Sequence, residues 1–277
     1  MRYLVLAAVT AALVFPVAAF AGCDFNATTL SFAGTPQAQA TCLLRHVKPG
    51  GSLEAQDLPP NLLARLATPF SPTAAQTNAA LANLPDNVRE TVRSGLTSPL
   101  SKTPSGESAL YFVIHDTSAP NYLTESFPDD LQASKSVNNI QRYLITDAVA
   151  HAFVNRRGEV GIGHDFSVPW RATKLESKIV GTASRGRFVH VELLQPRRSD
   201  PARKKGNDHI APDPGFSDAQ YRCLASLYVV ASARAGQWLI PAFHAAIDEG
   251  VPEGHDDPQH FDITRLDQAI SDILSAS

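Results

Sequence analysis

The chain has 277 residues, 44% of them hydrophobic, so it is long enough to bury a substantial core. Its formal net charge of −3 argues against nucleic acid as a partner, because phosphate binding requires a clearly basic surface. No segment after the N-terminal region is apolar enough to span a bilayer, so we expect no transmembrane segment in the mature chain.

Residues 1–21 have the pattern of a secretory signal peptide. A positive start at Arg2 precedes an apolar run over residues 4–19, and Ala19-Phe20-Ala21 is a small-x-small cleavage signal. A membrane anchor is the weaker alternative, because the run is barely long enough and contains Pro16. The pattern therefore predicts an exported protein.

Cys23 lies just after the cleavage signal and allows two interpretations. Residues 20–23 resemble the lipobox at which bacterial lipoproteins are cut and acylated, although Phe20 replaces the usual aliphatic residue. The interpretation we prefer pairs Cys23 with Cys42 in a disulfide across 42 − 23 = 19 positions, as an oxidising export compartment allows. Cys223 lies in an apolar helical pattern and is expected to be a buried small hydrophobe.

The amino-acid composition of the sequence changes near residue 105. Residues 22–105 are rich in Ala, Leu, Pro, Ser and Thr and carry short helical patterns at 60–66 and 73–84. They predict a mainly helical or irregular N-terminal extension. Residues 106–277 are predicted to form the functional domain.

That second part begins with a continuous apolar run at residues 109–114, which is typical of a strand buried on both faces. The further predicted elements are strands at 150–154 and 187–194, a helix at 217–236, a short strand or turn at 238–247, and a closing helix at 263–274. Ser217 and Gln220 have the spacing of a capping box at the start of the first helix. This mixture predicts an α/β fold with a single mixed central β-sheet flanked by helices.

Candidate metal ligands follow these elements. His115 comes directly after the first buried strand, a position that active-site residues often occupy in open α/β sheets. A second cluster contains His244 and the His- and Asp-rich residues 254–262. Zinc binds imidazole nitrogen and carboxylate oxygen, and a catalytic site needs three protein ligands with a fourth position open. Two histidines and one aspartate would satisfy it, but spacing alone does not prove the site.

Four stretches in order carry a family resemblance. They are Phe112-Val113-Ile114-His115-Asp116-Thr117; residues 148–154 with Arg157-Gly158-Glu159-Val160; Val189-His190-Val191-Glu192-Leu193; and Gln220-Tyr221 followed by His244, Asp257-Pro258 and Phe261-Asp262. Residues 108–270 thereby resemble the zinc-dependent N-acetylmuramoyl-L-alanine amidases, a group that includes peptidoglycan recognition proteins. The resemblance implies a Zn²⁺ cofactor. The signal peptide predicts that the protein is located in the periplasm or cell envelope, with a lipoprotein as the alternative.

The resemblance also implies the roles of particular residues. His115, His244 and Asp257 would bind zinc, Glu192 would lie beside the metal-bound water, and His255 would take the supporting place of a lysine found in many bacterial members.

The second ligand departs from the family pattern. This chain has Phe243-His244 where the family has Gly-His, and the interval to the aspartate is longer, 257 − 244 = 13 positions. His255, which follows a glycine, therefore stays open as the alternative ligand, and His260 as a third candidate.

Amide hydrolysis needs an activated water, stabilisation of the oxyanion and a proton for the leaving nitrogen. Glu192 is the candidate that accepts the proton of the water and passes it to the amine. The alternative for Glu192 is a surface glutamate on an edge strand. Protonated His255 is the candidate donor to the oxyanion.

The remaining histidines and basic residues receive simpler interpretations. His151 is expected to support the site indirectly or to pack, and His164 and Trp170 are candidates to line a substrate groove. His46, His190 and His209 are interpreted as surface or strand residues. The basic run within residues 197–205 is expected to be a solvated loop, with a rim that attracts an anionic wall polymer as the alternative.

The predicted function is hydrolysis of the amide bond between N-acetylmuramic acid and L-alanine in peptidoglycan or muropeptides. One alternative is a peptidoglycan-binding module without catalysis, because some family members lose a metal ligand. A zinc peptidase acting on wall peptides is another, since the absence of a His-Glu-x-x-His pattern removes only the commonest peptidase class.

Overall fold

The computed structural model describes residues 23–70, 72–145 and 149–276. The predicted signal peptide and the lipobox positions before Cys23 lie outside these residues. Within the described ranges, none of the helices has the length and apolar character needed to cross a membrane.

The elements follow one another from short N-terminal pieces to a central sheet and a helical C-terminus. The strands are β1 (Phe25–Asn26), β2 (Ser31–Phe32), β3 (His46–Val47), β4 (Leu53–Glu54), β5 (Tyr111–Asp116), β6 (Ala152–Val154), β7 (Val160–Ile162), β8 (Phe188–Leu193) and β9 (Ile240–Phe243). The helices are α1 (Pro36–Leu43), α2 (Pro60–Leu66), α3 (Ala74–Ala82), α4 (Asp86–Gly95), α5 (Gln141–Ile145), α6 (Asp218–Ala235), α7 (His244–Ile247) and α8 (Ile263–Leu274). A π-helical segment, Leu175–Val180, and a 3-10 turn, Gly181–Ser184, lie between β7 and β8.

The central sheet has five strands in the order β7-β6-β8-β5-β9. The pairs β6/β8, β8/β5 and β5/β9 are parallel, whereas the edge strand β7 is antiparallel to β6. Every residue of β5 and β8 is buried, as expected for parallel strands covered on both faces. The predicted mixed central sheet flanked by helices is confirmed.

Two long helices begin where the sequence predicts. The side chain of Ser217 accepts a hydrogen bond from the backbone of Gln220, whose own side chain returns a bond to Ser217, so the capping box of α6 is confirmed. The helix ends at Gly236, which adopts the left-handed conformation that favours glycine. α6 packs against α8 and α3.

The N-terminal segment shares a hydrophobic core with the sheet. The hydroxyl of Tyr111, on β5, donates to Gln39 Oε1 of α1 at 2.7 Å and accepts from the backbone N–H of Phe32 at 2.8 Å. The rings of Phe32 and Tyr111 meet edge to face, with centroids 5.4 Å apart. α1 also packs against β9, so the extension covers the strand from which His244 follows.

Cys23 and Cys42 form a disulfide with their Cα atoms 5.8 Å apart, so the preferred interpretation of this pair is confirmed. A sulfur engaged in that bond is not available for the thioether of a lipid anchor. Cys223 is buried, as predicted, and its thiol donates to the carbonyl of Gly158 at 3.2 Å.

The strand β7 is an element that the sequence prediction missed. Its sequence, Val-Gly-Ile, is short and has a central glycine, which weakens the strand pattern. The glycine avoids a steric clash, because a Cβ atom at Gly161 would lie 2.6 Å from Cγ2 of Ile140. Packing against α5 and its neighbours, which no local pattern encodes, selects this residue.

Breaking the disulfide should lower stability without altering the sheet. In Cys42→Ser the unfolded chain regains the freedom of a loop spanning 19 positions, and we expect the free energy of unfolding to fall by about 3 kcal/mol in denaturant titration. Reductant should produce the same loss in the unaltered protein and no further loss in the variant. Equal stability of both proteins under oxidising conditions would contradict the bond.

Candidate metal centre

The site is built at the carboxyl ends of three adjacent parallel strands, β8, β5 and β9. The register pairs His115 with Glu192 across β5 and β8, and Ile114 with Phe243 across β5 and β9. His244 follows Phe243 directly as the first residue of α7. Ligand sites in open α/β sheets commonly occupy this edge.

Asp257 joins this edge from a loop between α7 and α8. The backbone N–H of Ala245 donates to the carbonyl of Asp257 at 2.8 Å, which ties the loop to α7. The backbone N–H of Asp116 donates to Asp257 Oδ2 at 3.0 Å, which aims the carboxylate at His115. The loop is therefore held at two points close to the carboxylate.

Three side chains converge here: His115, His244 and Asp257 are each at most 3% exposed, and their candidate ligand atoms lie within 4.8 Å of one another. Nδ1 of His244 is 2.8 Å from Nδ1 of His115 and 3.1 Å from Asp257 Oδ1, and Nδ1 of His115 is 3.9 Å from Asp257 Oδ2. Tetrahedral zinc, with bonds of about 2.1 Å, separates neighbouring ligand atoms by about 3.4 Å. The observed separations lie on both sides of this value, and the two imidazoles and the carboxylate are donors that zinc prefers. The group can hold a metal ion.

Both imidazoles have a partner on the nitrogen that faces away from this group. Nε2 of His244 lies 2.9 Å from Asp248 Oδ2, and Asp248 in turn accepts hydrogen bonds from the backbone of Lys174 and Leu175. Nε2 of His115 lies 3.0 Å from Nδ1 of His190. Such contacts hold the ring orientation that presents Nδ1 to a metal.

The charges of the group favour an ion pair in the metal-free protein. Burial tends to lower the pKa of His244, but Asp257 and Asp248 hold it well above its ordinary value. Burial tends to raise the pKa of Asp257, but His244 holds it well below its ordinary value. Burial lowers the pKa of His115 well below its ordinary value, and the neighbouring His244 and His190 lower it further. His115 is therefore neutral, and a cation binding at Nδ1 of His244 would displace a proton.

Glu192 lies on the central strand β8, between β6 and β5, so it is not the exposed edge-strand residue of the alternative interpretation. It is 8% exposed, its Oε1 is 4.0 Å from His115 Nδ1, and its buried Oε2 has no hydrogen-bond partner among the described residues. Burial raises the pKa of Glu192 well above its ordinary value, and the charge of Asp257 adds to that rise. A carboxyl with a raised pKa is suited to taking up and returning a proton.

A cleft of about 350 Å³ opens above this group. Its lining consists of Asp116, Thr117, Ser118, Tyr143, Val149, Trp170, Arg171, Ala172, Glu192, His244 and His255. His255 is half exposed, its ring stacks on His244 with centroids 4.5 Å apart, and its Nδ1 is 3.6 Å from Asp257 Oδ1. The structure thus brings Glu192, His244 and His255 together in the lining of one cleft.

The two predicted groove residues occupy different places. Trp170 lines the cleft, and its indole N–H donates to the carbonyl of Val149 at 3.0 Å. His164 stacks against Trp170 with centroids 4.1 Å apart and lines a separate small cavity beside Asp165 and Arg234. His164 therefore contacts the cleft through Trp170.

The basic run contains a residue that the solvated-loop interpretation misplaces. Arg197 is fully buried, and its Nη2 donates to Asp116 Oδ2 at 2.7 Å while Nη1 lies 3.6 Å from Asp256 Oδ1. Asp116 and Asp256 flank the candidate ligands in sequence, so Arg197 balances the acidic charge beneath them. Arg203, Lys204 and Lys205 are exposed, as the solvated loop predicts.

Sequence reasoning missed His190 as part of the site. It was interpreted as a surface or strand residue; it is a strand residue, but it is fully buried and contacts His115. Since alternate residues of a strand share a face, its position two residues before Glu192 was the available signal. His151 supports this strand, because the backbone N–H of His190 donates to His151 Nδ1 at 3.0 Å. Among the described residues, the three-ligand group contains none of His46, His209 and His260.

No family model matches the sequence, and no curated protein matches it. A solved structure described as "crystal structure of Se-Met AmpD derivative" is similar over 62% of this chain and 90% of its own length, with 18% identity and a TM-score of 0.35. A likeness this distant does not assign an activity, which has to be inferred from the residues of the site.

Replacing each of the two candidate histidines by alanine should separate their roles. His244→Ala removes a buried donor 3.1 Å from Asp257, so we expect it to abolish binding of one zinc ion, measured by metal analysis after dialysis. His255→Ala, the matched control, should retain the metal because this ring is half exposed and more distant. Loss of zinc in His255→Ala but not in His244→Ala would exchange the assignments.

Proposed function

We propose that this chain is an exported zinc-dependent amidase that hydrolyses the bond between N-acetylmuramic acid and L-alanine in peptidoglycan or its fragments. The observation that carries the proposal is the convergence of His115, His244 and Asp257 beneath an open cleft, with the Glu192 carboxyl 4.0 Å from His115. The resemblance of four sequence stretches to the amidase family supplies the substrate class.

The donor set fits zinc in its catalytic form, which has three protein ligands and one open position. Zinc at such a site lowers the pKa of a coordinated water to about 7 and polarises a carbonyl group. Because His244 lines the cleft, a substrate carbonyl in the cleft could reach an ion that these three residues would hold.

Glu192 supplies the proton transfers. One carboxylate oxygen takes a proton from the attacking water and later delivers it to the departing amide nitrogen. The pKa of the Glu192 carboxyl is raised toward neutral pH, which suits a group that must both accept a proton and return it. Its buried Oε2, without a hydrogen-bond partner in the described part of the chain, leaves the carboxyl free to turn toward the cleft.

His255 and the cleft walls position the substrate. His255 lines the cleft beside the candidate ligand His244, and in its protonated form it can donate to the oxygen of the scissile carbonyl as negative charge develops there. Trp170 and Tyr143 offer apolar ring surface, and Arg171 offers a positive charge for a peptide carboxylate. These groups suit a substrate that joins a sugar to a charged peptide.

Digestion of muropeptides should identify the bond. Purified protein is incubated with muropeptides with and without a chelator, and we expect mass spectrometry to find free lactyl sugar and free L-alanine amino ends only where zinc remains. Cleavage between amino acids would instead indicate a zinc peptidase. Binding of muropeptides without any cleavage would indicate a binding module.

Glu192→Gln should separate catalysis from metal binding. The amide cannot accept the proton of the water, so turnover should fall by about 10²–10⁴-fold while zinc content stays unchanged. Glu90→Gln, on the exposed side of α4, is the matched control and should retain full turnover. Full activity in Glu192→Gln would remove this residue as the general base.

A further inference from the structure

The two candidate histidine ligands are oriented in different ways. His244 has a carboxylate of its own, because its Nε2 lies 2.9 Å from Asp248 Oδ2. The Nε2 of His115 faces another imidazole, Nδ1 of His190, at 3.0 Å. An imidazole nitrogen can either donate or accept, so this contact does not by itself decide which nitrogen of His115 carries the proton.

The contact on the other side of the His190 ring indicates which nitrogen of His115 carries the proton. Nε2 of His190 lies 3.3 Å from Oε2 of Glu176, a contact between polar groups that does not have hydrogen-bond geometry, and the side chains of both residues are fully buried. Oε2 of Glu176 also accepts from the backbone N–H groups of Ala172 and Thr173 and from the Thr173 hydroxyl, each at 3.1 Å. These three donors hold the carboxylate in place, with its negative charge against Nε2 of His190.

A fixed order of protons follows from this geometry. A lone pair that faced the Glu176 carboxylate would be repelled by its negative charge, so in neutral His190 the nitrogen on that side carries the hydrogen and Nδ1 is bare. That bare nitrogen can only accept, and the proton of His115 must then lie on Nε2. The lone pair of His115 is left on Nδ1, the atom that points toward His244 and Asp257.

We propose that Glu176 and His190 are positioning residues, which act through two successive imidazoles to hold His115 with its proton on Nε2 and its Nδ1 open to the metal. The inference rests on the proposed function in one respect, the assignment of His115 as a zinc ligand. Partners of this kind commonly change metal affinity by about 10–100-fold when they are removed.

The backbone reinforces this arrangement. His190 and Glu192 alternate on β8, and the register places Glu192 beside His115. The backbone N–H of His190 donates to His151 Nδ1, which leaves the proton of neutral His151 on Nε2, 3.1 Å from the carbonyl of Val168. His151 thus fixes the strand on which His190 is carried, as its predicted supporting role requires.

Two variants of His190 differ in whether the side chain offers a hydrogen-bond acceptor to His115. In His190→Asn the side-chain oxygen can take the place of Nδ1 and accept from His115, whereas His190→Phe keeps a ring of similar size without an acceptor. We expect zinc affinity, measured by competition with a chromogenic chelator, to fall about 10–100-fold in His190→Phe and to be largely kept in His190→Asn. Circular dichroism of both metal-free variants checks that they remain folded.

Tautomers are read directly from long-range ¹H–¹⁵N correlations of the metal-free protein. The expected result is a proton on Nε2 and none on Nδ1 for both His115 and His190. A proton on Nδ1 of His190, or equal zinc affinities in folded His190→Asn and His190→Phe, would overturn the proposal.

The tautomer measurement also separates this inference from the proposed function. If the unaltered chain bound no zinc, the amidase proposal would fail, and the tautomers of His115 and His190 would still decide the inference. If His190→Phe did not fold, Glu176→Gln and Glu176→Met would replace it. Gln keeps an oxygen acceptor and should preserve the tautomers, Met removes it and should not, and equal behaviour of the two would overturn the proposal.

Discussion

The register of β5 with its two parallel neighbours is the constraint on which the site depends. It sets His115 beside Glu192 and places Phe243, the residue before His244, beside Ile114. Side chains of a strand alternate between faces, so a slip of one residue would turn His115 away from the other groups. The wholly buried runs of β5 and β8 oppose such a slip, because each strand packs between covered faces.

Once this edge is assembled, the site is a cluster of buried charges that balance one another. Asp257 faces His244, His244 faces Asp248, and Asp116 faces Arg197. A buried ion that loses its partner is strongly destabilising, typically by about 3–5 kcal/mol, so these groups are mutually dependent. A metal ion held by His244 would displace the proton of that ring and would itself give Asp257 a positive partner.

The N-terminal segment is part of the support of this edge. α1 packs on β9, Tyr111 of β5 binds Phe32 and Gln39, and Arg45 forms an ion pair with Glu249 at 2.6 Å just after α7. A Cβ atom at Gly51 would lie 2.9 Å from Cβ of Asp256, so the turn between β3 and β4 rests against the loop that carries Asp257. The segment therefore constrains the strand and the loop that deliver two of the three candidate ligands.

Several elements of the fold were predicted from local sequence patterns. The apolar run before His115 predicted a buried strand, and the Ser217/Gln220 spacing predicted where α6 begins, because both signals depend on residues only a few positions apart. The disulfide between Cys23 and Cys42 was the preferred pairing for a different reason, the oxidising compartment that an exported protein enters. The local pattern did not predict β7, because its glycine is selected by contact with α5 and its neighbours.

Local patterns were enough to indicate that a buried strand ends in a histidine and that a His- and Asp-rich segment lies far along the chain. The folded chain was needed to show that His244 lies nearer to Asp257 than His255 does, that Arg197 is buried, and that His190 contacts His115. The contacts of Arg197 with Asp116 and of His190 with His115 join segments 81 and 75 positions apart in the sequence, and the approach of His244 to Asp257 depends on how one loop folds back on α7. Local sequence patterns report which face of an element is buried, but the partner across the sheet is selected by packing of the whole chain.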